Sequence, residues 1–208
     1  MTVKSDARMR ILIAAERLFA ERGITDVSLR EIGAAAGQRN NSAVQYHFGD
    51  KEGLLKALYE HRLAPLNRRR LELLDEIETE DPRDELLRLV RAYVHPLIEQ
   101  ARHGRSHYAR FVSRYVAAGH LPAEPFGREH LSGVTQIMGR IEAHMGDLPS
   151  PLRHERLRMM QLLVTSVAAD LERRVEQHQI TPDHAGLVAR ELVETTAGLV
   201  GQSAGTER

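Results

Sequence analysis

The stretch 27–55, VSLREIGAAAGQRNNSAVQYHFGDKEGLL, constrains this chain more than any other. Ser28-Leu29-Arg30-Glu31 is a capping box, with Ser28 at the N-cap and Glu31 three positions on. Val27 and Ile32 stand at N′ and N4, where a hydrophobic staple forms. Leu29, Ile32 and Ala36 repeat at i, i+3 and i+7, so one face of this helix turns inward. The small run Gly33-Ala34-Ala35-Ala36 lets another helix approach closely. Gly37 falls where a left-handed C′ residue ends a helix. A second, short helix is predicted to start near Asn40 or Asn41, both good N-caps, and to run through Ser42 to His47. Val44 faces inward in this register, and Asn41, Ser42, Gln45 and Tyr46 face solvent. A capped helix, a tight turn and a short polar helix describe a helix-turn-helix, whose second helix enters the DNA major groove.

Gln45-Tyr46-His47-Phe48, followed by Gly49-Asp50-Lys51-Glu52-Gly53-Leu54-Leu55, resembles the Y-Y-H-F-x-x-K-E-x-L signature of the TetR/AcrR family of transcriptional regulators. The segments 11–19 and 25–37 stand before it in that family's order. The resemblance covers roughly the first quarter of the chain; beyond it only the all-helical layout and the length agree. Gln45 stands where the family often has Tyr, and the turn 37–41 is one residue longer than the usual A-G-V-S-K-G-T. The resemblance implies a palindromic DNA operator, a homodimer, a small-molecule effector and repression rather than activation.

Composition excludes several classes. The chain has 208 residues, enough for one large or two small domains with a sizeable core. There is no run of eighteen apolar residues and no apolar core near the N-terminus, so no membrane span is predicted and a cytoplasmic location is expected. The absence of cysteine rules out disulfides and thiolate zinc sites. Net charge is zero with His neutral, which argues against a non-specific nucleic-acid coat but not against a local basic face. Up to residue 51, eight Lys and Arg stand against six Asp and Glu, the sign DNA binding requires.

Along the chain, residues 1–5 read as a loose arm. Ile11, Leu12, Ala15, Leu18 and Phe19 repeat with helical spacing, and Gly23 stops that helix. Asp50 caps a helix from Lys51 toward Ile77, with Leu54, Leu55 and Leu58 inward; Pro65 is expected to kink or break it. Asp81-Pro82 starts the next, kinked at Pro96. Ser106 is placed to cap a helix carrying Phe111, Val112, Tyr115 and Val116. Leu131, Val134, Met138, Ile141 and Met145 form a further stripe. Ser150-Pro151 and Thr181-Pro182 start the last two helices. No period-2 strand pattern, repeat or low-complexity tract occurs, so the fold class is all-α with about nine helices. The expected organisation is a three-helix DNA-binding domain over 1–50 and a larger helical ligand-binding and dimerisation domain over 51–208.

Residue chemistry suggests roles. Arg39, Asn40, Asn41 and Ser42 lie at the end of the recognition helix that meets base edges; Arg39 suits guanine and Asn41 adenine. Ser28, Gln45, Tyr46, His47 and Lys51 are phosphate positioners, as at the matching positions of the family. The eleven histidines are scattered, without H-E-x-x-H or an adjacent His-Asp pair, so neither a metal nor a cofactor is expected. Of nine aromatic residues, Tyr93, Tyr108, Phe111, Tyr115 and Phe126 fall in one third of the chain, with Met138 beyond them. Aromatics and soft Met side chains can line an adaptable cavity, or they can be ordinary core. The stripes Leu157, Met160, Val164, Val167, Leu171 and Val188, Leu192, Leu199 are long, and a two-fold copy would cover them in a four-helix bundle. The reading is a ligand-responsive homodimeric repressor and not an enzyme. The alternatives are an all-helical enzyme, or a helical scaffold, whose N-terminus only resembles the motif.

Overall fold

The computed structural model describes residues 2–38, 40, 42–102, 106–117 and 131–202, with side chains from residue 6 onward. Arg39, Asn41 and Phe126 lie outside the described residues. Nine α-helices account for the described secondary structure. They are α1 (Thr2–Arg22), α2 (Leu29–Ala35), α3 (Ala43–Phe48), α4 (Lys51–Asp75), α5 (Pro82–Ala101), α6 (Tyr108–Ala117), α7 (Ser132–Ala143), α8 (Ser150–Glu176) and α9 (Pro182–Gly201). No described helix is long and apolar enough to cross a membrane.

Local chemistry sets most boundaries. Asp50 accepts from the Gly53 N–H, Asp81 from Arg83 and Thr181 from His184, each using an N–H that a helix start leaves without a partner. Gly23 has φ 90° and ends α1. One sequence expectation fails here: α1 already begins at Thr2, so most of the expected arm is helix. Of a kink or a break at Pro65 the break does not occur, since α4 is one helix across it, as α5 is across Pro96. Proline removes one N–H and crowds the preceding turn, yet the buried residues on both sides of Pro65, Leu63 and Leu66, hold the helix in the core.

Helix α2 packs on both α1 and α3, α3 also on α4, and α1 also lies against α4 and α6. In the C-terminal part α6 packs along α8, α5 along α9, and α7 across α4 and α5. One apolar core runs continuously from Ile11 and Phe19 in α1 to Val193 and Val200 in α9. Five of its aromatic rings meet where the two parts join. Tyr59 of α4 stacks edge-on against Phe111 and Tyr115 of α6 at 5.4 and 5.3 Å, and Phe111 lies 6.2 Å from Phe19 of α1. Tyr108 completes the group 6.2 Å from Tyr59. Such pairs add about 0.5–1.5 kcal/mol each beyond their burial.

Candidate nucleic-acid interface

The supporting helix α2 is fixed at both ends. Ser28 accepts from the Glu31 N–H at 3.2 Å, while its own N–H donates to the Glu31 carboxylate at 2.8 Å. Arg22 of α1 donates to the same carboxylate at 2.8 Å and to the Asp26 carbonyl at 2.7 Å. The Ser28 N–H above all, then its hydroxyl and Arg22, hold the Glu31 carboxyl down at about 2. At the other end Gly37 has φ 68° and donates to the Ala34 carbonyl, and Gln38 donates to Gly33. These two bonds form a Schellman motif, which needs a residue without Cβ at that point. Val27 and Ile32, the expected staple, are both buried.

The recognition helix α3 is short and held from behind. Val44 is fully buried, and its Cγ2 would lie 3.4 Å from a Cβ on Gly33, an ordinary contact, so Val44 packs directly over Gly33 of α2. Asn40 Oδ1 accepts from the Ser42 N–H at 2.9 Å, capping the turn one residue before the helix. Ser42, at the N-cap, makes no cap bond with its own side chain. Its hydroxyl faces outward, as do Gln45 and Tyr46, the last 70% exposed. His47 is half-buried and meets Tyr46 edge-on at 5.2 Å. Lys51 sits at the start of α4 with its Nζ 3.4 Å from the Thr25 carbonyl. The expected contact residues that can be described, Ser28, Asn40, Ser42, Gln45, Tyr46, His47 and Lys51, therefore gather along α2, the turn, α3 and the first turn of α4.

Sequence reasoning passed over Gly53 as a variable position of the signature. A Cβ there would stand 2.1 Å from the Phe48 carbonyl oxygen. The end of α3 is therefore folded directly onto the first turn of α4, which only glycine permits.

The C-terminal residues separate into two groups. Tyr93 and Tyr108 line a small cavity of about 40 Å³ between α4, α5, α6, α7 and α8. Phe111 and Tyr115 do not line it; they are buried in the ring cluster that reaches Phe19. Met138 is half-buried on α7, outside the lining. An open cleft of about 340 Å³ lies between α5 and α9, bordered by Arg91, Arg102, Arg190, Glu99 and Glu194. Among the described residues no group of three His, Cys, Asp or Glu is placed to hold a metal ion. Of the positions expected at a subunit interface, Leu157, Met160, Val164, Leu171 and Leu192 are buried within the single chain, and Val167, Val188 and Leu199 are half-buried. The apolar side chains that α8 and α9 leave outside are Leu152, Met159 and Leu187, at 49, 51 and 55% exposure.

Residues 11–58 match the family described as bacterial regulatory proteins, tetR family. The transcriptional regulator AcrR of Shigella flexneri is 37% identical over 92 residues, 44% of this chain and 40% of that protein. The transcriptional repressor AcnR of Corynebacterium glutamicum is 41% identical over 54 residues, 26% of this chain and 28% of that protein. The matched stretch thus spans less than half the length of either relative. A tetR-family regulatory protein from Rhodococcus RHA1 superposes with a TM-score of 0.55 at 24% identity, covering 95% of this chain and 98% of its own. That likeness extends the shared fold over the C-terminal helices.

Proposed function

The chain belongs to the TetR family of bacterial DNA-binding transcriptional regulators, and from that premise we propose that it is a cytoplasmic homodimeric repressor released from its operator by a small molecule. The observation that carries the DNA-binding part is the solvent-facing edge of α3. This six-residue helix buries only Val44 and leaves Ser42, Gln45 and the aromatic ring of Tyr46, 70% exposed, on one outer edge that the core does not use. Read as a major-groove helix, it meets base edges with its N-terminal end, where Arg39, Asn40 and Asn41 stand in sequence, and phosphates with Tyr46, His47 and Lys51.

The dimer is proposed to form through α8 and α9 of two copies, using the outer stripe of Leu152 and Met159 with Leu187. Two recognition helices related by a two-fold axis read a palindrome whose half-sites lie about one or two helical turns apart. The effector is proposed to enter the core between α4 and α8, and to act by favouring a conformation in which the two recognition helices no longer match that spacing. A coupling of about 1–3 kcal/mol is enough for such a switch.

The test is footprinting with the DNA flanking the protein's own gene. A symmetric pair of protected half-sites is expected. Lys51→Ala should weaken binding to every sequence and lower the salt slope by about one, because it removes one phosphate partner. A single asymmetric half-site, or no protection anywhere, would overturn the dimeric reading.

A further inference from the structure

Arg70 is a buried guanidinium that lines the small cavity, and no carboxylate faces it among the described residues. Its residue exposure is 6%. One amino group donates to the Tyr93 carbonyl at 3.3 Å, and the guanidinium lies 5.2 Å from the centre of the Tyr93 ring. Its Nε–H is buried without an acceptor. The half-buried arginines Arg62 and Arg110, by contrast, each have an acid beside them, Glu16 and Glu172. A buried cation lacking a counter-charge is costly to the fold, and evolution has simpler residues for filling a core.

The remaining lining is apolar apart from the tyrosines, Thr165 and Gln161. Leu63 and Leu66 of α4, Leu97 of α5, and Val112 and Val116 of α6 supply the walls. Tyr59, Tyr93 and Tyr108 stand with Arg70 on them. Burial raises all three phenol groups above their ordinary range, so at neutral pH they are hydroxyls able to donate to an anion. An arginine fork beside neutral hydroxyls, walled by leucine and valine, matches a single carboxylate on a compact apolar body. At about 40 Å³ the cavity is smaller than such an acid, so binding requires its leucine and valine walls to move apart.

We propose that this cavity is the effector site and that its ligand is a short monocarboxylic acid held by Arg70. The assignment rests on the effector-binding reading given above and names the chemical class that site takes. Through Tyr59 and Tyr108 the carboxylate would touch the same ring cluster that packs on Phe19 of α1.

The test uses the full chain with butyrate, benzoate, their two amides and inorganic phosphate at one ionic strength, followed by calorimetry and thermal unfolding. The acids should bind at least tenfold more tightly than the amides, and Arg70→Gln should lose at least tenfold of that affinity. Arg70→Met should raise the ligand-free Tm while abolishing the response, because it removes an uncompensated buried charge. Equal binding of acid and amide, binding of phosphate alone, acid binding unchanged in Arg70→Gln, or no response to any probe would each overturn the proposal. A lower Tm in Arg70→Met would also overturn it, since the guanidinium would then be a structural element. Operator retention separates the two readings. An amide that binds and releases DNA leaves an effector site without the anion; an acid that binds through Arg70 and leaves DNA binding unchanged leaves the site without the switch.

Discussion

Glu16 of α1 receives two hydrogen bonds from Arg62 of α4, Nε at 2.5 Å and Nη2 at 3.0 Å, with the carboxylate almost wholly buried. The same carboxylate accepts from the His107 N–H at 2.7 Å, just before α6. One acidic group thus ties the first helix of the DNA-binding part to α4 and to the entrance of α6. Arg114 makes a second tie, donating to the Ala20 and Glu21 carbonyls at the C-terminal end of α1.

Replacing Glu16 by Ala leaves Arg62 without its counter-charge and the His107 N–H without an acceptor. A cost of about 3–5 kcal/mol is expected from breaking such a buried pair. Glu16→Gln keeps an acceptor for His107 and loses only the charge, so it should cost less. Urea unfolding of the three proteins measures this. Equal stability of Glu16→Ala and the parent chain would mean that α1 is not anchored here.

Gly53→Ala puts a methyl group 2.1 Å from the Phe48 carbonyl, and backbone is on both sides of the clash. The end of α3 must move away from α4. Operator affinity should fall by at least about tenfold, the effect of 1.4 kcal/mol, while the helical content of the C-terminal part stays as it was. Mobility shift and far-ultraviolet dichroism on the same preparation check both halves of this expectation.

What could be read from the sequence was local. The capping box at Ser28, the caps at Asp50, Asp81 and Thr181, the Gly37 terminator and the inward Val44 depend on residues within four positions of one another. Glu16 is 46 residues from Arg62 and 91 from His107, and no spacing rule links them. Arg70 carries no local mark either, because its meaning comes from the absence of a facing acid among the described residues of the neighbouring helices. Helical periodicity identified the inward stripe of Leu157, Met160 and Val164 but not what covers it. That cover comes from within the same chain, where α8 packs against α5, α6, α7 and α9. Phe111 shows the same limit, since its type suited a cavity and its neighbours make it a junction.

Glu172 gives a pH signature. Burial pushes its carboxyl up to about 7, against the pull of the Ala109 and Arg110 N–H groups and the Arg110 side chain. A folded value above the unfolded one means that its stabilising contribution is full below about 4.5 and is lost as the pH rises through about 7. The loss is of order 3 kcal/mol at most, from 1.36 kcal/mol per unit. His61, His95 and His107 are held low chiefly by burial, so they act oppositely, destabilising as the pH falls through their unfolded value. The total curve is therefore mixed, and the difference between the parent chain and Glu172→Gln isolates the carboxyl. Thermal unfolding between pH 5 and 8 should show the parent losing stability relative to the variant. A constant difference across that range would mean that Glu172 does not titrate there.

The proposed dimer is tested by charges placed on two faces of one helix. Met159 and Val164 both lie on α8, but Met159 is half exposed and Val164 fully buried in the single chain. Met159→Arg adds a solvated charge to an isolated chain and a buried, unpaired one to a dimer that uses this face. The double variant Met159→Arg, Leu187→Arg should therefore keep the helical content and Tm of a folded chain, sediment as a monomer and lose the avidity of two linked recognition helices for a palindrome. Val164→Arg should instead cost several kcal/mol in the chain itself, whatever its state of association. A double variant that still sediments as a dimer would remove Met159 and Leu187 from the interface, and the exposed edge of α8 and α9 would need another partner.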